Sequence, residues 1–355
     1  MEKILTIVIP TYNMQDYLRR CLDSLLVPAE QLPLMEVLVV NDGSKDNSSS
    51  IAHEYQDKYP QTFIVIDKEN GNYGSCINKA LTVATGKYIR ILDADDWYNT
   101  ENLSYLLIRL QNVDADVIIN DYSRYIDGRV ELKSNLFRKS DYLYSVPELL
   151  KEHEYGVKCV QMHSLCYKKK CFEGIDYHQT EGISYTDQEW NSMPWVNVNT
   201  VLYIPLNIYQ YNLEREGQTC DSNVFFKKMP EQFVGIQKCI EKLEKIKERL
   251  DEFHQNLLFE TICLRIVVLY YMMLIEQNQS PSCLVEFDKS LVSNYPKYAV
   301  AVSEHPMNRR VFKYQYVKKW RDNGYVPLPV WICNTFVTIN KCIKTLKSFL
   351  ARLKH

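Results

Sequence analysis

The first hundred residues alternate between short apolar runs and segments whose apolar side chains recur at helical spacing. The apolar runs predict strands at residues 4–9, 37–40, 63–66 and 88–92, and the spaced segments predict helices at 14–26, 47–58 and 75–84. Further strands are predicted at 116–120 and 200–204. Strands that are apolar throughout and alternate with helices indicate an α/β fold, with a mostly parallel sheet flanked by helices.

The pattern changes beyond about residue 220. A highly charged helix is predicted at residues 241–252 and a mostly apolar one at 262–275. A chain of 355 residues also exceeds the usual size of one hydrophobic core. We therefore expect two parts, a sheet domain over residues 1–220 and a helical C-terminal region over residues 221–355.

Composition excludes some partners and compartments. The net charge of −2 provides no basic field for nucleic acid. The 11 cysteines have no zinc-site spacing, so reduced thiols in a reducing compartment are expected. The apolar runs at the N-terminus and near residues 266–275 are too short for a signal peptide or a membrane span. These observations predict a cytoplasmic protein without a transmembrane helix.

Polar clusters follow four of the predicted strands. They occupy residues 10–13, 41–44, 67–74 and 93–96. Ligands of parallel sheets bind beyond the carboxyl ends of the strands, so these clusters should meet at one edge. The sequence therefore predicts a nucleotide site at this edge.

The cluster after the fourth strand contains three carboxylates, Asp93, Asp95 and Asp96. Their mutual repulsion would fall if a divalent cation lay among them, and oxygen ligands suit Mg²⁺ or Mn²⁺. Such an ion would screen the charge of a diphosphate and make it a better leaving group. An Asp-x-Asp triplet alone is a weak signal, because many surface turns contain one.

The joint spacing of four motifs resembles that of family 2 glycosyltransferases. The motifs are Val8-Ile9-Pro10-Thr11-Tyr12-Asn13, Val39-Val40-Asn41-Asp42-Gly43-Ser44, Asn70-Gly71 with Asn78, and Gly86-Lys87-Tyr88 through Asp93-Ala94-Asp95-Asp96. The resemblance covers about residues 4–97. It implies a GT-A fold, a nucleotide-sugar donor and inversion at the transferred sugar.

The resemblance also implies roles for individual residues. Those expected at the donor, from the nucleobase and ribose to the sugar, are Pro10, Thr11, Tyr12, Asp42, Asn70, Gly71, Asn78, Asp93 and Ala94. Asp95 is expected to bind the metal, and Asp96 to support the metal or the sugar. Taken singly, Asn41-Asp42-Gly43-Ser44 and Asn70-Gly71 would be ordinary turns.

A weaker match concerns the catalytic base and the diphosphate. Residues 182–190 resemble the family's base segment, which often has two adjacent acids. This chain has Thr186 at the first position, so Asp187 is the candidate base and Glu189 the fallback. Arg215, in a loop after the last predicted strand, is the candidate for binding the diphosphate, or else an ordinary surface arginine.

Three functions are consistent with these residues. The first is inverting transfer of a sugar, from a uridine diphosphate sugar, to an acceptor hydroxyl in polysaccharide or glycoconjugate synthesis. The second is a catalytically silent nucleotide-sugar-binding or scaffold protein, which the missing acid at Thr186 keeps open. The third is a nucleotidyltransferase, although residues 10–13 lack the basic phosphate loop that it would need.

The tail predicts a basic amphipathic helix. Apolar residues recur at three- and four-residue steps from Ile332 to Leu353, and residues 323–355 contain five Lys or Arg but no acid. Such a helix could lie on an anionic membrane, which would suit a lipid-linked acceptor and a peripheral location on the inner membrane face. It could equally pack on the protein's own core or pair with a second subunit.

Overall fold

The computed structural model describes residues 2–134, 137–158, 160–215, 218, 222–306 and 314–352. Its first half confirms the predicted alternation of strands and helices. The elements are β1 (Leu5–Thr11), α1 (Gln15–Asp23), β2 (Met35–Asn41), α2 (Ser48–Lys58), β3 (Phe63–Asp67), α3 (Asn72–Val83) and β4 (Tyr88–Ile91). Every residue of β1 and β2 is buried, as expected for strands covered on both faces.

The parallel part of the sheet has the strand order β3-β2-β1-β4. β2 and β3 are added in turn on one side of β1, and β4 then pairs with β1 on its other side. Such a reversal opens a crevice at the carboxyl ends of the two strands on either side of it. Thr11 at the end of β1 and Asp93 just after β4 therefore border the same crevice.

The rest of the sheet is mixed. β9 (Leu165–Lys168) inserts antiparallel between β4 and β6 (Val117–Ile126), and β10 (Thr200–Asn212) runs parallel to β6. The sheet is thus less parallel than the sequence pattern predicts. The elements are β5 (Trp97–Tyr98), α4 (Thr100–Leu110), β6 (Val117–Ile126), β7 (Arg129–Lys133), β8 (Leu143–Ser145), α5 (Val146–Lys158), β9 (Leu165–Lys168), α6 (Asp187–Ser192) and β10 (Thr200–Asn212).

The described remainder of the chain is helical. Its helices are α7 (Ser222–Lys227), α8 (Met229–Ile246), α9 (Glu252–Tyr270), α10 (Ser282–Asn294), α11 (Pro296–Glu304), α12 (Tyr316–Asp322) and α13 (Val330–Arg352). A helix at 241–252 was expected, but α8 ends at Ile246 and a 3-10 turn follows. Charge periodicity alone does not mark such a break, because both sides of it are rich in Lys and Glu.

Two compact units divide the chain, Met1–Leu258 and Phe259–His355. The division places α8 with the sheet, while a domain boundary near residue 220 stays a prediction. Within the second unit, the fully buried Asp288 accepts two hydrogen bonds from Arg321, at 2.7 and 2.9 Å, and one from Tyr270. This arrangement ties α10 to α12 with a bidentate ion pair.

One helical stretch is longer than the apolar run in the sequence suggested. α9 continues through a π-helical turn, Tyr271–Glu276, to form 25 residues that could cross a membrane by length and composition. The expectation that no stretch is long enough was therefore wrong. However, 67% of its most apolar window is buried inside the protein, as in the core helix of many soluble proteins. The cytoplasmic location stays a prediction.

Candidate active site

Asp42, at the end of β2, is the anchor of the predicted nucleotide pocket. Its carboxylate is almost fully buried and accepts hydrogen bonds from Lys68 Nζ at 2.6 Å and from the Gly71 backbone N–H at 3.0 Å. Asn70 donates to the backbone carbonyl of Asp42 at 3.0 Å. Three of the predicted donor residues, Asp42, Asn70 and Gly71, are thus brought together as one unit.

The other predicted residues of the first strand differ in exposure. Pro10 and Thr11 are buried, and the Thr11 hydroxyl donates to the backbone carbonyl of Ile9 at 3.1 Å. Tyr12 is 46% exposed. An exposed aromatic ring at the end of a central strand is available to stack on a nucleobase, whereas the Thr11 hydroxyl is already occupied.

Asp93 lies just beyond β4 and is held by Tyr73, whose hydroxyl donates to it at 2.7 Å. Burial, followed by the negative charge of Asp95, raises the pKa of Asp93 to about 7. The charge of Asp187 acts in the same direction. Asp187, the candidate base, is therefore close enough to Asp93 for the two negative charges to repel each other.

Asp96 faces the protein interior. It is 1% exposed, and its two carboxylate oxygens accept hydrogen bonds from the Tyr209 hydroxyl at 2.5 Å and the Asn212 backbone N–H at 2.7 Å. Burial and the charges of Asp95 and Asp93 raise its pKa well above the usual range. The prediction that Asp96 binds the metal gains no support from this geometry. Asp96 instead joins the acidic loop to β10, and the neighbouring Ala94 is likewise buried.

Asp95 forms an ion pair with Arg215. The Arg215 Nε lies 2.6 Å from Asp95 Oδ2, and both side chains are largely shielded from solvent. The two residues that the sequence assigns to the metal and to the diphosphate are therefore neighbours. Arg215 is not the ordinary surface arginine that was the alternative interpretation.

The residues suit a metal ion only in part. Within the described ranges, no group of three or more His, Cys, Asp or Glu side chains is arranged to hold one. Asp95 and Asp93 supply oxygen atoms near each other, as their electrostatic interaction shows. An ion held by one or two carboxylates and by substrate phosphates is typical of Mg²⁺ and Mn²⁺ sites, so these two residues are the best candidates in this chain.

Asp187 begins α6, at a position fixed by its neighbours. Thr186 is fully buried, and its hydroxyl donates to the Gln179 side chain at 2.8 Å. Glu189 is also fully buried, accepting from the Thr180 backbone N–H at 2.6 Å and pairing with Lys242. The fallback assignment of Glu189 as the base is therefore wrong, because its carboxylate is enclosed and fully engaged. Asp187, which is only partly buried, stays the candidate.

Asn78 connects the nucleotide loop to the segment that leads to Asp187. Its side-chain oxygen accepts from the Gln179 backbone N–H at 2.7 Å, and its nitrogen donates to the Gln179 carbonyl and to Glu181, each at 2.9 Å. Gly182 N–H adds a bond of 3.0 Å to the Gly71 carbonyl. The amide of Asn78 therefore holds residues 178–181 against α3, and the position of Asn78 beside the nucleotide stays a prediction.

Comparison with known proteins decides the family. Residues 6–170 match the sequence model of glycosyl transferase family 2. This segment belongs to family 2. The matched residues include β2, β3, β4, all of β1 except Leu5, and the acids at 93–96, while Asp187 and Arg215 lie outside them.

Several glycosyltransferases are similar to this chain. The uncharacterized glycosyltransferase MG025 of Mycoplasma genitalium is 32% identical over 168 residues, which are 46% of this chain and 55% of that protein. GlyA of Streptococcus pneumoniae is 25% identical over 219 residues, 59% of this chain and 31% of its own length. The chain thus spans about half or less of the length of these two relatives.

A solved structure shares the fold over most of the chain. Residues 1–349 of S. aureus TarS, crystallised with UDP-GlcNAc, align with a TM-score of 0.62 at 21% identity. The alignment covers 90% of this chain and 92% of the TarS chain. The chain therefore has the GT-A fold, as the resemblance implied.

A cleft of about 720 Å³ lies beside α3. Its lining includes Asn70, Gly71 and Asn78, and also Phe172, Tyr177 and His178. Thr11 and the acids at 93–96 are not among its lining residues. The predicted donor residues thus fall into two groups, one at this cleft and one at the β1–β4 crevice.

Three residues of the site were missed by sequence reasoning. Lys68 binds Asp42, Tyr73 binds Asp93, and Tyr209 donates to Asp96. Lys68 follows β3 directly, so the rule that ligands lie beyond strand ends could have identified it. Nothing local distinguishes the two tyrosines from the many others in the chain, because their partners lie 20 and 113 residues away in sequence.

Proposed function

We propose that this chain is an inverting glycosyltransferase that moves a sugar from a uridine diphosphate sugar to an acceptor hydroxyl. The family 2 segment and the named glycosyltransferases among its relatives support sugar transfer. The UDP-GlcNAc complex of TarS, which shares the fold, makes uridine donors the first to test. The acceptor that we propose is a sugar or a lipid-linked sugar.

One observation carries the proposal. The ends of β1, β2 and β4 bring Tyr12, Asp42 and Asp93 to one edge of the sheet, and the charge of Asp187 reaches that edge. A nucleotide held near Asp42 would extend its diphosphate toward Asp95 and Arg215. The anomeric carbon would then lie within reach of Asp187, on the side from which an acceptor approaches.

Asp187 is the proposed base. It would take the proton of the acceptor hydroxyl as that oxygen attacks the anomeric carbon and the bond to the diphosphate breaks. The configuration inverts in this single step, and no covalent sugar–enzyme intermediate forms. A positioned carboxylate contributes about 10²–10⁴-fold in rate, which sets the loss expected when it is removed.

Arg215 and Asp95 would serve the leaving diphosphate. The guanidinium group presents a fork of N–H donors that matches phosphate oxygens. When bound, a divalent cation would screen the charge of the diphosphate. Asp95 would hold that ion, with Asp93 as its neighbour, and Tyr73 would keep the Asp93 carboxylate oriented through its hydrogen bond.

Two substitutions test the proposal. The protein is incubated with Mn²⁺ and a panel of nucleotide sugars and acceptors, and the release of nucleoside diphosphate is measured. Asp187→Asn should bind donor normally but turn over at least about 100-fold more slowly. Asp95→Asn should lose metal-dependent donor binding. Asp127→Asn, in the exposed turn between β6 and β7, is the matched control and should behave as wild type.

The alternatives predict different products. Donor binding without release of nucleoside diphosphate, for every sugar and acceptor, would identify a silent binding protein. The replacement of an acid by the buried Thr186 is the observation that favours that second function. Pyrophosphate formed from a nucleoside triphosphate and a sugar phosphate would identify a nucleotidyltransferase. Full activity of Asp187→Asn would exclude Asp187 as the base.

A further inference from the structure

The start of α13 displays an unusual apolar surface. Val326, Val330 and Trp331 are 55%, 60% and 70% exposed. The residues between and after them are anchored, since Leu328, Ile332 and Phe336 are buried in the second unit. Trp331 is thus held outward by a packed framework. Large apolar side chains grouped on a surface in this way mark an interaction site.

Positive charge accompanies this surface in the sequence. From Asn323 to His355 the chain contains five Lys or Arg and no Asp or Glu. Among the residues whose side chains are described, Lys318, Lys319 and Lys341 are exposed, and Asp322 is an exposed acid close to the first two in sequence. The whole chain has a net charge of −2, although its last 33 residues are basic. The excess of acidic residues therefore lies entirely before residue 323.

We propose that Val326, Val330 and Trp331, the Trp331 surface, bind the headgroup region of an anionic lipid bilayer. An exposed tryptophan is suited to this region, where its ring lies among apolar chain ends and its N–H faces water. Basic residues near the surface are attracted by anionic lipids. Exposed apolar side chains alone, or a basic segment alone, bind a membrane only weakly. The two together give stable attachment.

Charge argues against a second copy as the occupant. A symmetric dimer built on this surface would bring together two copies of the same patch. The sequence from residue 323 to residue 355 has five Lys or Arg and no acid, so it offers no opposite charge for a second copy. An anionic bilayer has the complementary charge, so the bilayer is the partner that this surface fits.

Sedimentation with vesicles tests the proposal on the full chain. The two vesicle types are pure phosphatidylcholine and phosphatidylcholine with 30% phosphatidylglycerol. The protein should pellet with the anionic vesicles, and 0.5 M NaCl should release it, because salt screens the attraction. Trp331→Ala and Lys341→Glu should each lower the partition coefficient, Trp331→Ala by about tenfold. Tyr105→Ala, which removes another exposed aromatic ring on α4, is the matched control.

Fluorescence locates the contact independently. Of the five tryptophans, Trp190, Trp195 and Trp320 are buried and Trp97 is half-buried, so Trp331 is the most exposed. Anionic vesicles should shift the emission to shorter wavelength, and brominated lipids should quench it. Trp331→Phe should abolish both changes while preserving binding better than Trp331→Ala does.

Four results of the vesicle experiments would overturn the proposal. They are no pelleting, equal pelleting with both vesicle types, pelleting unaffected by Trp331→Ala, and attachment that only detergent reverses. The last would point to Glu252–Glu276 as a membrane span. Concentration-dependent dimerisation without lipid, lost in Trp331→Ala, would instead assign the surface to a second copy. None of these measurements depends on sugar transfer. Membrane binding by the Trp331 surface can therefore be disproved without affecting the proposed glycosyltransferase function, and the reverse also holds.

Discussion

The Nε of Arg215 lies 2.6 Å from Oδ2 of Asp95, across 120 residues of sequence. The carboxylate that is the best metal candidate is thereby paired with the cation that we assign to the diphosphate. Because neither side chain is more than about one-fifth exposed, the pair is shielded from solvent and salt. If Asp95 holds the metal as we propose, a metal–diphosphate complex would compete with Arg215 for this carboxylate, and donor binding should separate the pair.

Arg215→Ala should have opposite effects on two measurements. Without donor, Mn²⁺ should bind more tightly in calorimetry, because Asp95 is no longer neutralised. With donor, turnover should fall about tenfold or more, because the diphosphate loses a charge-assisted hydrogen bond. Arg215→Lys should restore part of the turnover, since it keeps the charge but not the planar fork. A variant with weaker Mn²⁺ binding would contradict the competition between the metal and Arg215.

The contribution of Asp93 to the stability of the metal-free protein should fall as pH rises from about 4 to about 7, whereas the buried His163, whose pKa is lowered to about 3, acts in the opposite direction. The pKa of Asp93 is raised to about 7 by burial and by Asp95, so the folded protein keeps a proton that the unfolded chain releases. The raised pKa of Asp96 acts in the same direction. Urea denaturation at pH 5 and pH 7.5 measures the effect. Relative to wild type, Asp93→Asn should favour pH 7.5 over pH 5 by about 1–3 kcal/mol in the free energy of unfolding, and the same pH dependence in both proteins would show that Asp93 does not hold that proton.

Gly74→Ala should impair catalysis through the segment before Asp187. A Cβ atom on Gly74 would lie 2.3 Å from the backbone carbonyl oxygen of Thr180, so residues 178–181 would have to move. We expect a fall in kcat of about tenfold, because displacement of a base by about 1 Å is costly. Gly128→Ala, in open space at the β6–β7 turn, is the control and should change only stability. Equal kcat values for wild type and Gly74→Ala would indicate that this packing does not position Asp187.

Lys242→Met should destabilise the protein by about 3 kcal/mol. Glu189 is fully buried and ion-paired with Lys242, so the substitution would leave a carboxylate without its cation in the interior. Thermal or urea unfolding measures the loss, and Lys245→Met, at an exposed position of the same helix, is the control. Adding Glu189→Gln to Lys242→Met should recover part of the stability, since the uncompensated charge is then absent. A loss in Lys245→Met equal to that in Lys242→Met would show that the ion pair is not the cause.

The sequence by itself determined the parallel half of the fold and the location of its polar clusters. Strand and helix periodicities are local, so β1 to β4 and the helices between them could be located from neighbouring residues alone. The rule that ligands lie beyond strand ends then placed Asp42 and Asp93 at one edge of the sheet. Even the candidate base could be chosen, because residues around Asp187 match a short motif.

Only the tertiary structure decided how those side chains are used. The pairing of Asp95 with Arg215, the burial of Asp96 beneath Tyr209 and the binding of Asn78 to residues 178–181 join segments about 100 or more residues apart. The antiparallel insertion of β9 between β4 and β6 likewise depends on contacts between segments that are distant in sequence. Local patterns cannot predict such contacts, because a side chain's partner and its exposure depend on the packing of the whole sheet and its helices.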